Sequence, residues 1–351
     1  MFKNFLGKFS KDIGIDMGTS NTLVCVKGKG IVINEPSVIA INTRTDSILA
    51  MGEDALKMVG KTPAHILATR PLSQGIISDF EAVEKMLGFF IDKISQEKFG
   101  FFSRPRILSS IPLDITGVEK KAVEDAAKQA GAGEVLLVES PLAAAVGAKL
   151  PVQEATGSMI VDIGGGITQI AVISLGGIVI GKSFPVAGEE LNKNIIQYAQ
   201  SEWNLLLGEK SAEELKKRIG SAFPLKEALE TKVRGRDAIS GLPKEIIVND
   251  SQIREAIQKS LKIILNNIKD ILEMTPPELV AEIYQKGIVL CGGGALLKNI
   301  DKLISKEIKI PVHILEDPQT AVIRGVGFIL ENFEQLKELA VYPEEEEAKI
   351  K

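Results

Sequence analysis

One short segment occurs twice in this chain, and that repeat constrains the fold more than any other feature of the sequence. IGIDMGTSNT begins at Ile13 and MIVDIGGGIT begins at Met159, so that Asp16 aligns with Asp162. Each copy predicts an apolar strand, a glycine turn and a second strand. A repeat of about half a chain indicates two related domains rather than a solenoid of short units.

The residues of each copy are typical of a phosphate-binding hairpin. An apolar strand that ends in an aspartate places a carboxylate at the edge of a cleft, and the glycines after it let backbone N–H groups approach an anion. We expect the two turns to face each other and to hold one polyphosphate, with Asp16 and Asp162 binding Mg²⁺ through water. The alternative, a plain hairpin with a surface aspartate, is disfavoured because both copies are in register.

A third glycine cluster lies at Gly292–Gly294, after the apolar run IVLC. The pattern predicts a strand, a glycine turn and then a helix, which places N–H groups beside a ligand. Strand–glycine–helix turns are common in α/β folds. In third position after the repeat, this one is expected to form the wall behind a nucleotide base.

Composition excludes several other classes of protein. The chain has 351 residues, which favours two domains, and its net charge of −4 provides no bulk attraction for nucleic acid. Its two histidines, His65 and His313, make a histidine zinc site or a Ser/His/Asp triad improbable. Cys25 and Cys291 lie in apolar runs and are expected to be buried thiols. No apolar run reaches the roughly 20 residues that span a bilayer, and the start lacks the pattern of a signal peptide, so we expect a cytoplasmic protein.

The three glycine motifs together resemble those of the actin, sugar-kinase and chaperone ATPase superfamily. Over nearly its whole length the chain is similar to the bacterial actin (MreB) family. Further segments carry this resemblance: TRPLSQGIISDF (69–80), ESPLAAAVGAKLPV (139–152), DIGGGITQIAVISLGGIV (162–179), GSAFP (220–224), VRGRDAISGLP (233–243), LEMTPPEL (272–279) and CGGGALLKNID (291–301).

The resemblance implies an α/β fold of the actin-like (ribonuclease H-like) duplicated type, with two domains and four subdomains around a nucleotide cleft. The implied division places an amphipathic membrane-binding helix at 1–11, core subdomain IA at 12–32, 67–145 and 321–340, subdomain IB at 33–66, core subdomain IIA at 146–181 and 246–320, subdomain IIB at 182–245, and an acidic tail at 341–351.

The resemblance also implies ATP, or ADP after turnover, together with Mg²⁺ as cofactors. Asp16 and Asp162 correspond to the metal-binding residues. The residues that correspond to phosphate and adenosine contacts are Gly18, Thr19, Ser20, Asn21, Gly164, Gly165, Gly166, Glu213, Lys216, Gly292, Gly293 and Gly294. For Glu213 and Lys216 the alternative is the solvated face of a charged amphipathic helix.

The chain departs from the family at the positions that serve hydrolysis. Relatives carry an acidic residue before the proline that orients the attacking water, and this chain has Ser140 there, with Glu139 before it. Relatives follow the glycine triplet with a threonine that assists hydrolysis, and this chain has Ile167, followed by Thr168. Serine is a poor base and isoleucine forms no hydrogen bond, so we expect hydrolysis to be slow or absent, with Glu139 or Thr168 as partial substitutes.

Two segments are candidates for contact with a membrane. Phe2, Phe5, Leu6 and Phe9 lie on one helical face beside lysines, and Phe99, Phe101 and Phe102 form an apolar cluster between basic residues. A terminal segment packed on its own domain is the alternative for the first.

The resemblance implies a filament of identical subunits on the inner face of the cell membrane, which organises cell-wall synthesis with the elongation machinery and determines rod shape.

Two other classes remain open from the sequence. A soluble superfamily ATPase, such as a chaperone-like enzyme, would need a substrate-binding domain or a sugar pocket, for which the chain offers no candidate. A segregation-type actin would differ mainly in its partners.

Overall fold

The computed structural model describes residues 12–95 and 104–341. Among these residues the chain divides into two compact units. Unit 1 contains 12–95, 104–154, 175–177 and 320–341, and unit 2 contains 155–174 and 178–319. The chain therefore leaves unit 1 after its first half and returns to it near the end. The predicted division into four subdomains is finer than these two units and stays a prediction.

Strands and helices alternate along much of the described chain. The strands are β1 (Ile13–Met17), β2 (Asn21–Val26), β3 (Gly30–Pro36), β4 (Ile39–Asn42), β5 (Ser47–Met51), β6 (Ile66–Thr69), β7 (Leu72–Ser73), β8 (Ile76–Ile77), β9 (Arg106–Ile111), β10 (Glu134–Glu139), β11 (Ser158–Ile163), β12 (Thr168–Ser174), β13 (Gly177–Phe184), β14 (Leu205–Leu206), β15 (Glu230–Asp237), β16 (Pro243–Asn249), β17 (Ile288–Cys291) and β18 (Val312–Ile314). The α-helices are α1 (Glu53–Met58), α2 (Phe80–Ser95), α3 (Gly117–Gln129), α4 (Ser140–Gly147), α5 (Gly188–Trp203), α6 (Glu209–Ile219), α7 (Asp250–Met274), α8 (Pro277–Lys286), α9 (Ile300–Ile308), α10 (Ala321–Glu331) and α11 (Phe333–Leu336).

The main sheet of unit 1 has the order β10-β9-β1-β2-β3. Its central strand, β1, pairs parallel with β9 and antiparallel with β2. Ile13 and Ile15 of this strand are buried, and they pack with Met86 and Phe90 of α2. The sheet and helix therefore form one apolar core, because a helix and a sheet each bury one apolar face.

The main sheet of unit 2 repeats this arrangement. Its order is β13-β12-β11-β17-β18, with β11 parallel to β17 and antiparallel to β12. The repeat also fixes the register: Asp16 lies opposite Leu23 in one hairpin, and Asp162 lies opposite Gln169 in the other. The duplication predicted from the sequence is therefore present in the strand order as well as in the strands themselves.

In each unit a three-stranded sheet is inserted in the sequence between strands of the main sheet. In unit 1 the order is β5-β4-β6, and in unit 2 it is β14-β15-β16. The long helix α7 directly follows β16 of the second of these sheets and begins with a capping box. The Asn249 side chain accepts from the backbone N–H of Gln252, and the Gln252 side chain accepts from the backbone N–H of Asn249. Such reciprocal caps satisfy two N–H groups that a helix start leaves unpaired.

The returning helix α10 packs against α4 inside unit 1 with very little space between the backbones. A Cβ atom built on Gly325 would lie 1.7 Å from the carbonyl oxygen of Ala143, and one built on Gly147 would lie 2.0 Å from that of Ala321. Glycine at both positions permits this approach. The contact positions α4, the helix that begins at Ser140, against α10.

None of the helices in residues 12–95 and 104–341 combines the length and apolar character needed to cross a bilayer. The predicted membrane residues Phe2, Phe5, Leu6, Phe9, Phe99, Phe101 and Phe102 lie outside the described residues. Positions 342–351 of the acidic tail also lie outside them, and these predictions stay as they were.

Candidate functional site

The first glycine turn connects β1 to β2 and is closed by a backbone hydrogen bond. The N–H of Gly18 donates to the carbonyl of Asn21 at 3.0 Å. A Cβ atom on Gly18 would lie 2.8 Å from that same oxygen, so a side chain is excluded at this position. The turn therefore needs glycine to keep its shape, as expected for a backbone loop that approaches an anion.

Hydroxyl groups connect this turn to the segment between β3 and β4 and to the segment between β7 and β8. Ser37 is fully buried, donates to the carbonyl oxygen of Gly18 at 2.6 Å, and shares a hydrogen bond of 2.9 Å with the hydroxyl of Thr22. In addition, the Thr19 hydroxyl accepts from the N–H of Gly75 at 3.0 Å. The turn is thus tied to two neighbouring segments.

Asp16 lies at the end of β1, half-buried next to this turn. The Ser110 hydroxyl donates to Asp16 Oδ1 at 2.6 Å. Burial raises the pKa of Asp16 to about 6, against the hydrogen bond from Ser110, which lowers it. A cation bound to this carboxylate would favour its ionised form, so its chemistry fits a hard metal ion such as Mg²⁺.

The second glycine turn has the same geometry in unit 2. The N–H of Gly164 donates to the carbonyl of Ile167 at 2.9 Å, which matches the corresponding bond of the first turn. Asp162 precedes it at the end of β11 and is 8% exposed. Its oxygen donors also suit Mg²⁺. Within residues 12–95 and 104–341, no group of three or more His, Cys, Asp and Glu side chains is arranged to hold a metal ion.

Helix α5 starts directly on this second turn. The N–H of Gly188 donates to the carbonyl of Gly164 at 3.2 Å, and the N–H of Glu189 donates to that of Gly165 at 2.8 Å. Thr168 is fully buried, and its hydroxyl donates to the carbonyl of Val186 at 2.7 Å. In this structure the Thr168 hydroxyl therefore joins the turn to the segment that leads into α5.

Glu213 and Lys216 lie on α6 and form an ion pair of 2.6 Å. The Lys216 ammonium also donates to the carbonyl of Gly188 at 2.7 Å, which connects this pair to the start of α5. Burial alone would raise the pKa of Glu213, but Lys216 and the hydrogen bonds around the carboxylate lower it to about 2. Lys216 is only 11% exposed, so this pair is not part of a fully solvated face.

The third glycine cluster packs against the end of β11. A Cβ atom on Gly292 would lie 2.3 Å from Asp162 Oδ1, and one on Gly294 would lie 2.2 Å from the side chain of Ile163. Gly292 also has a φ of 79°, a left-handed conformation that favours glycine. The helix predicted directly after the triplet is a short 3₁₀ turn, Gly293–Leu296, and the α-helix begins only at Ile300.

The positions expected to serve hydrolysis lie on three different segments. Glu139 ends β10 and is half-buried, and Ser140 begins α4 and is 7% exposed. The Ser140 hydroxyl donates to the carbonyl of Ile111 at 3.0 Å, so its proton is used inside unit 1. Ile167 closes the second glycine turn and is half-buried.

Comparison with known proteins identifies the family. The family model described as MreB/Mbl protein matches residues 10–338. The chain belongs to the MreB/Mbl family. It is 46% identical to the cell shape-determining protein Mbl of Bacillus subtilis over 93% of this chain and 98% of that protein. It is 48% identical to the cell shape-determining protein MreB of Escherichia coli K12 over 94% of this chain and 96% of that protein.

Solved structures of the MreB/Mbl family and of a more distant relative confirm the actin-like α/β fold. MreB5 of Spiroplasma citri bound to AMPPNP matches with a TM-score of 0.89 and 37% identity, and the match covers 94% of this chain and 98% of that one. The MamK double helical filament matches with a TM-score of 0.78 and 20% identity over 92% and 99% of the two chains. The latter likeness concerns the fold alone.

Three residues in contact with these candidates are absent from the sequence prediction: Ser37, Ser110 and Asn192. Ser110 could have been predicted to lie near Asp16, because β9 runs parallel beside β1 and its end meets the same edge of the sheet. Ser37 and Asn192 carry no such signal, since each reaches its partner only through tertiary packing.

Proposed function

We propose that this member of the MreB/Mbl family is an ATP-binding cytoskeletal subunit. The observation that carries the proposal is the matching pair of glycine turns, in which Gly18 and Gly164 make the same backbone hydrogen bond after an aspartate that ends a central strand. The S. citri relative has been solved with AMPPNP and with ADP, which supports a nucleotide as the ligand.

The proposed contacts divide by chemistry. Backbone N–H groups of the turns at 18–21 and 164–166 would hold the phosphates, with the Thr19 and Ser20 side chains beside them, and Glu213 and Lys216 would contact ribose and base. Gly292–Gly294 would allow close approach to the adenosine. Asp16 and Asp162 would hold Mg²⁺, which supplies charge neutralisation for the phosphates when it is bound.

A binding measurement tests this assignment. We expect Asp16→Asn and Asp162→Asn each to weaken ATP binding in Mg²⁺ more than in EDTA, because a lost carboxylate removes a metal contact rather than a phosphate contact. Asp12→Asn is the matched control, since Asp12 precedes the same strand as Asp16 and pairs with Lys27 and Arg106 instead. Equal losses in Mg²⁺ and EDTA would contradict the metal assignment.

We propose further that hydrolysis is slow. The Ile167 side chain cannot form a hydrogen bond with a water molecule. The Ser140 hydroxyl donates its proton to the Ile111 carbonyl, although its oxygen can still accept a hydrogen bond. Glu139 and Thr168 are the two residues proposed to substitute in orienting the water. Glu139 is the stronger candidate, because the Thr168 hydroxyl is buried and already donates to the carbonyl of Val186. Phosphoryl transfer depends on positioning and electrostatics, so a missing orienting group lowers the rate without preventing binding.

The proposed assembly is a membrane-associated filament that organises cell-wall synthesis with the elongation machinery and so determines rod shape. It is supported by the family, whose curated members are named cell shape-determining proteins, and by the apolar and basic pattern of 2–9 and 99–102. We expect Phe5→Glu to abolish co-pelleting with anionic vesicles while nucleotide binding remains. Unchanged co-pelleting of Phe5→Glu would exclude the first segment as the anchor.

A further inference from the structure

Asn192 is a buried amide next to the proposed ribose contact of unit 2. It lies on α5, is 4% exposed, and its Nδ2 donates to Glu213 Oε2 at 2.8 Å. We propose that Asn192 is a positioning residue that holds the Glu213 carboxylate for the ribose hydroxyls and so makes the site select ribonucleotides over deoxyribonucleotides. This inference rests on the proposed function, in which Glu213 contacts the ribose.

Asn192 differs from the other groups that bind this carboxylate. Lys216 contacts Oε2 at 2.6 Å and Lys217 contacts Oε1 at 3.1 Å, and Lys217 is 71% exposed. Lys217 is a long, rotatable point charge that can follow the carboxylate as it moves, whereas Lys216 is 11% exposed and also donates to the carbonyl of Gly188. The Asn192 amide is short and enclosed on its helix, so together with Lys216 it determines where Oε2 lies. Without it, Lys217 would draw Glu213 towards solvent.

The second polar atom of this side chain strengthens the argument. Asn192 Oδ1 is buried, and among residues 12–95 and 104–341 it has no hydrogen-bond partner. A buried acceptor without a partner is unfavourable for the fold, and a leucine would fill a similar volume without one. The amide oxygen therefore does not account for asparagine at this position, whereas the bond that its Nδ2 donates to Glu213 does.

Asn192 also connects the proposed ribose contact to the proposed phosphate contact. It lies one helical turn after Gly188, whose carbonyl accepts from Lys216 and whose N–H donates to Gly164 of the glycine turn. Any displacement of the glycine turn moves the start of α5, and with it the amide that orients Glu213. The two ends of the nucleotide are therefore recognised by one connected set of hydrogen bonds.

The test compares ATP with 2′-deoxy-ATP, both in Mg²⁺, on the full chain. A site built to bond a hydroxyl discriminates against the analogue that lacks it, so we expect the wild-type protein to bind ATP about tenfold more tightly than 2′-deoxy-ATP. In Asn192→Leu and Asn192→Ala we expect this ratio to fall to about two, because a mobile carboxylate bonds the 2′-hydroxyl poorly.

Asn194→Ala is the matched control. Asn194 lies on the same helix, and its amide bonds with Glu190 and Ser260 rather than with Glu213, so the ratio should stay at the wild-type value. Because each ratio is measured within one variant, a partly unfolded preparation does not change it. Wild-type discrimination in both Asn192 variants would overturn the inference, as would a wild-type protein that binds ATP without preferring it. A wild-type protein that binds neither nucleotide would overturn the proposed function as well.

Discussion

Gly325→Ala is the substitution for which the structure predicts the largest loss of stability at the contact between α4 and α10. The new Cβ atom would lie 1.7 Å from the Ala143 carbonyl oxygen and 2.9 Å from the Gly147 nitrogen, where ordinary contacts are 3.4–4 Å. Both contacts are with backbone, which no rotamer change can relieve. The two helices would have to separate, and with them the segment that carries Ser140.

The expected magnitude follows from two opposing effects. Overpacking of a filled contact costs about 3 kcal/mol at the upper end of its usual range, which a backbone clash justifies. Alanine in place of glycine inside a helix gains up to about 1 kcal/mol. We therefore expect Gly325→Ala to lower the free energy of unfolding by about 2 kcal/mol.

Two other glycines provide controls in the same unit. Gly88 is inside α2, and a Cβ there meets nothing within 4 Å, so Gly88→Ala should stabilise by up to about 1 kcal/mol. Gly327 is on α10 itself, and its Cβ would lie 3.3 Å from the Cys25 sulfur, a tight contact with a side chain rather than with backbone.

Urea unfolding without nucleotide, followed by circular dichroism, measures all three variants. We expect the order Gly88→Ala, wild type, Gly325→Ala from most to least stable, with Gly327→Ala close to the wild type. If Gly325→Ala unfolds at the same urea concentration as Gly88→Ala, the backbones are not in contact and the reasoning is refuted.

Three further predictions concern the residues proposed to bind nucleotide and to serve hydrolysis. The pKa of Glu213 is lowered from 4.5 to about 2, so the stabilisation that its carboxylate provides is present above about pH 4.5 and is lost as the pH falls towards 2. In urea titrations Glu213→Gln should therefore lower the free energy of unfolding at pH 7 and lower it progressively less below pH 4.5. A loss of stability that is independent of pH would contradict this prediction. The combined change Ser140→Asp and Ile167→Thr should raise phosphate release in assembled protein by at least about tenfold, since one oriented water is typically worth that much, and an unchanged rate would show that these positions do not limit hydrolysis. Gly292→Ala should weaken ATP binding strongly because it strains a left-handed residue, whereas Gly293→Ala, whose Cβ meets only a side chain at 3.5 Å, should weaken it much less; equal affinities of the two variants would argue against close packing at Gly292.

Much of the fold was predictable because the repeat carries it. An aspartate, a glycine and a threonine at one constant spacing were sufficient to place two hairpins, and both hairpins have the same register and the same turn bond. The apolar run before the third glycine cluster likewise predicted β17. Local patterns of this kind specify strands and turns because the backbone geometry depends on neighbouring residues.

There is a physical reason why the contacts of Ser37 and Asn192 could not be predicted from the sequence. Ser37 and Asn192 reach Gly18 and Glu213 through hydrogen bonds between residues that are 19 and 21 positions apart in sequence. A single serine or asparagine has no periodic signature that distinguishes such a bond from exposure to solvent. The same applies to Gly325, whose role depends on a helix that returns from the far end of the chain.

The central claim is that nucleotide drives this chain to assemble on a membrane while hydrolysis is slow. Sedimentation with and without anionic liposomes, in ATP and Mg²⁺ and with phosphate release followed in the same tubes, tests this claim most directly. The account predicts nucleotide-dependent pelleting, more protein in the pellet with liposomes, and little phosphate. Rapid phosphate release with no nucleotide- or lipid-dependent pelleting would indicate a soluble ATPase and would contradict the account.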